Sequence, residues 1–234
     1  MHATNNRYTL FFGDQKTSFE ARAYQQVHDG AALAQALFGN HPDQPEYLVM
    51  QKQTHSAQGY ALSSPKDLVQ YAPYTHEGDY LITNQRGVAV GVATADCMPL
   101  IMYDPKNHAL AAIHAGWRGA HQQIALAALE HLRTTYGTAP EHVRAHIGPC
   151  ARACCYAVQE SFIQEIPAPY TQKHAGAWYC DLVAYQQDQL TLHGVPHEQI
   201  MTTSALCTIC DTRFCSYRRD KEKARRQITY AVLL

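Results

Sequence analysis

A protein of mixed α and β structure, of the α/β or α+β class, is what this sequence predicts. Three observations predict it. Short apolar, partly β-branched runs at 88–93, 100–103 and 110–113 are bounded by turn residues, the pattern of buried strands. Helical periodicity lies between such runs, most clearly over 120–136, where Ile124, Ala128, Leu129, Leu132 and Tyr136 share one face. The two patterns alternate along 234 residues with no Gly/Ser-rich linker, low-complexity tract or internal repeat. That length suffices for one good-sized core, or for two half-domains packed as one unit.

The elements follow in order. Residues 9–12 form a strand candidate, ended by Gly13-Asp14. Thr17 followed by Glu20 fits a capping box and opens a helix over about 18–38. Tyr24, Val27, Ala31, Ala34 and Leu37 supply its apolar face, and Gly30 weakens it. Residues 39–45 are a loop, and 47–51 a strand that ends just before His55. The stretch 57–75 has prolines and little periodicity, and reads as surface structure around a short helix. Residues 80–83, 88–93 and 100–103 are strands; Pro99 belongs at the edge of the last because it cannot donate a ladder hydrogen bond. The run 110–113 delivers His114 into Gly116-Trp117-Arg118-Gly119, and Gly137 to Pro140 ends the helix that follows. Then come a strand at 143–147, helices at 157–165 and 179–192, a strand at 200–204 and a closing apolar run at 228–234.

Composition excludes several classes. The net charge is −1, from 19 basic and 20 acidic residues, so there is no electrostatic case for nucleic acid or an anionic membrane. No stretch approaches the roughly 18 uninterrupted apolar residues of a membrane span. Residues 1–7 are polar with no apolar signal core behind them, so a cytoplasmic protein is expected. Its eight cysteines are then expected to be mostly reduced thiols, some buried and one or more reactive or metal-bound.

The chemistry points to His55, Cys97 and His114, each beside a short strand candidate. Two imidazoles and a thiolate match the three-ligand set of a catalytic zinc site with one open position. Ala95, Ala115 and Gly116 would leave room for a substrate. The same residues permit another use, with Cys97 as a thiolate nucleophile and His114 as its base. No GxxxxGK[ST] or GxGxxG phosphate loop is present. Cys207, Cys210 and Cys215 form a C-x-x-C followed by a third cysteine, a structural-zinc pattern that Cys180 or a histidine could complete.

Motifs over 47–234 carry a resemblance. They are Gln53-Thr54-His55, Thr94-Ala95-Asp96-Cys97-Met98-Pro99-Leu100, His114-Ala115-Gly116-Trp117-Arg118-Gly119, Ile147-Gly148-Pro149, Cys154-Cys155-Tyr156-Ala157-Val158, Cys207-Thr208, Phe214 and Ser216-Tyr217-Arg218-Arg219-Asp220. In this order they resemble the multicopper polyphenol oxidase (laccase)-like domain family, also called the YfiH or peptidoglycan editing factor family. The resemblance implies a four-layer α/β/β/α fold with mixed sheets, one domain over 1–234, and a monomer. It implies a zinc enzyme whose metal ligands fall on His55, Cys97 and His114, with copper the less expected metal. The implied activity is phosphorolysis of adenosine, inosine, guanosine and methylthioadenosine, with adenosine deamination in some members. Its partners would be a purine nucleoside and phosphate. The family's other name implies an alternative, a hydrolase editing peptidoglycan precursors; a third reading is an inactive relative that binds zinc and purine.

Within that activity Arg118 is the nearest candidate for phosphate, with Arg218 and Arg219 behind it. Asp79 or Asp96 could protonate the departing purine at N7, or orient a ligand histidine. The chain departs from the family at its start. The family's Thr-Arg-x-Gly-Gly segment is replaced by Leu10-Phe11-Phe12-Gly13-Asp14-Gln15-Lys16-Thr17-Ser18, which lacks the arginine; Lys16 or Arg22 could stand in. Residues 1–46 are therefore read as an atypical N-terminal segment. The family also keeps Cys207-Thr208 without a second metal, which argues against zinc on the C-terminal cysteines.

Overall fold

Fifteen short strands in three sheets organise the described residues of the computed structural model, which are 2–4, 7–20, 23–39, 44–166, 168–202 and 204–234. The first sheet runs in the order β1 (His2–Thr4), β2 (Tyr8–Phe12), β15 (Arg226–Leu233), β7 (Val88–Thr94) and β4 (Tyr47–Val49), and β3 (Ser18–Phe19) also pairs with β15. The second runs β14 (Ile200–Met201), β10 (Arg144–Ile147), β8 (Met98–Asp104), β9 (Ala109–Ala115), β6 (Tyr80–Thr83) and β5 (Gly59–Leu62). Both are mixed: β4 and β7 are parallel, as are β5 with β6 and β10 with β14, among otherwise antiparallel pairs. A small third sheet joins β11 (Ala157–Val158), β13 (Ala177–Cys180) and β12 (Thr171–His174).

Side-chain alternation decides how the sheets stack. On β7, Val88, Val90 and Val92 join Leu10, Val49, Leu81, Ile101, Tyr103 and Leu110 in one buried cluster, so the first two sheets face each other. The other face of the first sheet, with Phe11, Leu48, Ala89, Ile228 and Tyr230, packs on Leu33, Ala34 and Phe38 of α1 (Gly30–Phe38). The far face of the second sheet, with Ile82, Met98, Leu100, Met102 and Ile113, packs on α4 (Ile124–Tyr136) and on Val183 and Leu190 of α5 (Leu182–Leu192). Three short helices, α2 (Pro65–Gln70), α3 (Trp117–His121) and α6 (Tyr217–Asp220), lie in connections.

Several boundaries differ from expectation. The helix over 18–38 is only α1. Asp29 caps it, its carboxylate accepting from the Ala32 N–H at 2.8 Å, and Gly30 lies against the Tyr47 ring where a Cβ would clash at 2.3 Å. Thr17 instead closes a reciprocal bond with Asp14 around a 3₁₀ turn, and Ser18 and Phe19 are taken up by β15. The helix over 120–136 is two pieces, α3 and α4, because Gln123 adopts a left-handed φ of 60°. Residues 157–165 form β11 and a 3₁₀ turn rather than a helix, since Ala157 and Val158 pair with β13. Likewise 177–180 is β13, and α5 begins only at Leu182, capped by Asp181. Of 200–204, Ile200 and Met201 form the strand, with Thr203 outside the described residues. Pro99 lies inside β8, opposite His114, and β10 pairs no further along β8 than Leu100.

Candidate metal centre

His55, Cys97 and His114, which are far apart in sequence, offer ligand atoms that all lie within 4.8 Å of one another. The facing sheets bring this about. Cys97 sits in the connection from β7 in the first sheet to β8 in the second. His114 is the penultimate residue of β9, and His55 is on the loop after β4. Cys97 Sγ is 3.8 Å from His55 Nε2, and the two imidazole rings are 4.9 Å apart, edge to face. Gly116 closes the cradle; a Cβ there would stand 3.0 Å from Cys97 Sγ and 3.1 Å from His55 Cδ2.

Asp79 holds two of the three. Its fully buried carboxylate takes His114 Nδ1 at 2.8 Å and accepts the backbone N–H groups of Thr54, His55 and Ser56 at 3.1, 3.0 and 2.7 Å. The hydroxyls of Thr54 and Ser56 donate to it as well. His55 has a left-handed φ of 63°, a costly state for a residue with a Cβ, and this carboxylate stabilises it. With Nδ1 engaged, His114 turns Nε2 toward Cys97, the arrangement in which an outer carboxylate orients a ligand histidine. Asp96, also left-handed at φ 88°, plays a different structural part: its carboxylate accepts from Thr208 Oγ1 at 2.7 Å and from the Arg218 N–H at 2.6 Å. It fastens the Cys97 connection to the C-terminal segment.

The local electrostatics suit a cation. Burial alone would raise the Cys97 thiol, but the charge of His114 and hydrogen bonds from both histidines hold it well below the usual thiol range. Burial would likewise lower His114, yet Cys97 and Asp79 hold it above the usual histidine range. A thiolate beside an imidazolium is what two imidazoles and a thiol become when protons occupy the place of a metal. The donor set, the oriented histidine and the Cβ-free cradle therefore fit a metal ion.

The triad opens on a cleft of about 450 Å³, a volume suited to a small ligand. Among the described residues its other walls include Phe19, Gln25, Gln51, Tyr74, Tyr217 and Arg226. Neither Asp79 nor Asp96 lines it, nor does Arg118, which is exposed and stacks on Trp117 with 4.4 Å to the ring centroid. Arg218 donates to the Ala157 carbonyl, and Arg219 to Asp220 and the carbonyls of Thr208, Ile209 and Phe214. Lys16 is exposed and away from the lining, and Arg22 lies outside the described residues.

Sequence reasoning missed two polar wall residues. Gln51 is 4% exposed, and its side-chain amide has no partner for either Oε1 or Nε2 among the described residues. Arg226 begins β15, opposite Phe19 on β3, and reaches the cleft because β15 also pairs with β7. Its Nη1 donates to the carbonyls of Ala224 and Arg225, its guanidinium lies 5.9 Å from the centroid of the Tyr217 ring, and Nε and Nη2 have no hydrogen-bond partner among the described residues. No local pattern marks either residue; a buried amide without a partner is visible only in the fold.

Known proteins share this architecture. The structure of YfiH from Bacillus licheniformis aligns with a TM-score of 0.78 at 25% identity, covering 97% of this chain and 93% of that one. A purine nucleoside phosphorylase of Aquifex aeolicus is 35% identical over 158 residues, 68% of this chain and 72% of the relative. An adenosine deaminase from an unknown prokaryotic organism is 29% identical over 184 residues, 74% of this chain and 70% of its own length. The family model described as multi-copper polyphenol oxidoreductase laccase matches residues 21–234, and the chain belongs to that family.

Proposed function

We propose that this chain is a zinc-dependent purine nucleoside phosphorylase, converting a purine nucleoside and phosphate to the free base and a ribose 1-phosphate. One observation carries the proposal: three side chains able to hold a metal open on a single cleft that also holds a cation, Arg226, and a buried amide, Gln51, without a partner among the described residues. His55, Cys97 and His114 would hold the metal. When bound, zinc supplies a Lewis acid that polarises an oxygen of the substrate or of phosphate. Arg226 takes the phosphate role that Arg118 was expected to fill, because it lines the cleft and a guanidinium matches phosphate oxygens in pairs. Phe19 offers an aromatic edge of the cleft to the purine, beside Tyr217 whose ring Arg226 overlies, and Gln51 offers both a donor and an acceptor to the purine edge. As the glycosidic bond breaks, negative charge builds on the base, and the Gln51 N–H stabilises it there. Asp79 is a positioning residue, acting through His114 and the His55 loop. The unit is read as one domain over 1–234, whose atypical segment 1–46 contributes Phe19 to the cleft.

Incubation of adenosine with zinc-quantified protein tests the reading. Adenine that forms only with phosphate present is the expected product. Inosine formed without phosphate would instead make the chain a deaminase, the activity named for one relative. No product from a zinc-loaded chain would overturn both, and leave the peptidoglycan-precursor hydrolase or an inactive binder. Arg226→Ala should raise the KM for phosphate about 10- to 100-fold, the loss of a charge-assisted hydrogen bond, with a smaller effect on the KM for adenosine. An unchanged phosphate KM would remove Arg226 from this role.

Metal removal supplies a separate check. Cys97 in the chelator-treated protein is expected to react with iodoacetamide at pH 7 at least about tenfold faster than an ordinary thiol, which is mostly protonated there. Mass spectrometry of the alkylated peptide reads this, and added zinc should protect it. A rate indifferent to zinc would speak against Cys97 as a ligand.

A further inference from the structure

A second group of thiols lies away from the cleft. Cys154, Cys155, Cys207 and Cys210 offer sulfur atoms that all lie within 4.8 Å of one another, and all four are free. The C-x-x-C at Cys207 and Cys210 thus finds partners, although not those expected from the sequence. Cys180 is fully buried on β13, and the Cys215 N–H donates to Gln227 Oε1 within the core; neither belongs to the group. The vicinal pair Cys154-Cys155 completes it.

We propose that these four cysteines form a structural zinc site. Four thiolates at the usual Zn–S length of about 2.3 Å stand about 3.8 Å apart in a tetrahedron. The observed cluster reaches that arrangement by side-chain adjustments of about 1 Å. Four protein ligands leave no open position, which marks a structural site rather than a catalytic one. The backbone is already shaped for it. The N–H groups of Arg152, Ile209 and Cys210 all point at the Cys207 sulfur. Both turns are held independently of the thiols: Cys155 and Tyr156 N–H donate to the Arg152 carbonyl, and Asp211 N–H to that of Cys207. Arg152 reaches across to the Ala205 carbonyl, and Arg219 holds the carbonyls of Thr208 and Ile209. These contacts brace both turns through backbone carbonyls rather than through the thiols.

The location gives the site a consequence. Cys150 and Cys207 are joined by a backbone bridge, and Thr208 next to Cys207 donates to Asp96 in the Cys97 connection. Zinc on the four thiols would tie the 154–155 turn to the 207–210 turn behind that contact. It would thereby fix the segment that carries Tyr217 to the cleft wall. The proposal does not depend on the phosphorylase reading, because it concerns different residues and a different readout.

Metal analysis of the full chain, purified with reductant and zinc, tests it. About two zinc ions per chain are expected, one at each site. Cys210→Ser and Cys154→Ser should each reduce this to about one, and His114→Ala should remove the other. Native mass spectrometry of the unmodified chain gives the same count without any variant, should the substitutions prevent folding. In that sample zinc should protect Cys154, Cys155, Cys207 and Cys210 from alkylation. Overturning results are one zinc per chain with these four thiols freely alkylated, iron in place of zinc, or a mass lower by two hydrogens that maps to a disulfide among them. If the first site holds no zinc but Cys210→Ser still removes one equivalent, the present proposal stands and the phosphorylase reading loses its metal.

Discussion

His114→Ala should abolish zinc binding at the cleft and turnover together. Changing only an outer partner of a ligand histidine costs roughly 10- to 100-fold in metal affinity, so loss of the ligand itself should cost more than about 100-fold. The substitution also leaves the Asp79 carboxylate buried without its aromatic partner. Breaking a buried pair by removing one member destabilises a fold by about 3–5 kcal/mol. Thermal unfolding should therefore fall alongside activity, and the zinc count separates the two effects. A His114→Ala protein with undiminished zinc at this site and wild-type turnover would contradict the metal centre.

Asp79→Ala should be nearly as damaging, although this carboxylate lines no part of the cleft. It removes the acceptor for three successive backbone N–H groups, two hydroxyls and His114 Nδ1. It also removes the acceptor that holds the left-handed backbone of His55. The expected result is metal binding weaker by about 10- to 100-fold. A positioning role makes a sharper claim than a structural one: turnover should recover toward wild type when zinc is raised to saturation. Asp79→Asn, which keeps one carbonyl acceptor, should lie between the two. Turnover that stays lost at saturating zinc, in a folded protein, would give Asp79 a different part.

The same group predicts an acid limb. Burial opposes ionisation of Asp79, but hydrogen bonds from His114 and Ser56 and the charge of His114 outweigh it and hold the group at about 2. Because the folded value lies below the unfolded one of about 3.9, the stabilisation is complete above pH 4 and is lost as pH falls toward 2. In metal-free protein, Asp79→Asn should flatten the unfolding curve in that window. An unaltered curve would show that other carboxylates govern it.

What could be read from the chain alone were the features written in short-range pattern. Continuous apolar runs marked β7, β8 and β9 to within a few residues, because burial on both faces demands apolar side chains at successive positions there. Helical periodicity marked α4 for the corresponding reason. The chemical types of His55, Cys97 and His114, set beside strand ends, were enough to nominate a metal site. Where the pattern was weak, propensity lost to pairing. Ser18 and Phe19, Ala157 and Val158, and Tyr179 and Cys180 became strands because a partner strand took up their backbone groups.

Only the tertiary structure decided which residues meet. That Asp79 serves both His114 and the His55 loop depends on β6 pairing with β9 while the β4 loop crosses over them. Arg226 reaches the cleft, and Arg118 does not, because β15 inserts between β2 and β7 and carries its first residue to the mouth of the site. Cys154 and Cys155 join Cys207 and Cys210 across about fifty residues through the Cys150–Cys207 bridge. Such contacts arise from long-range strand register, and no local window of sequence encodes them.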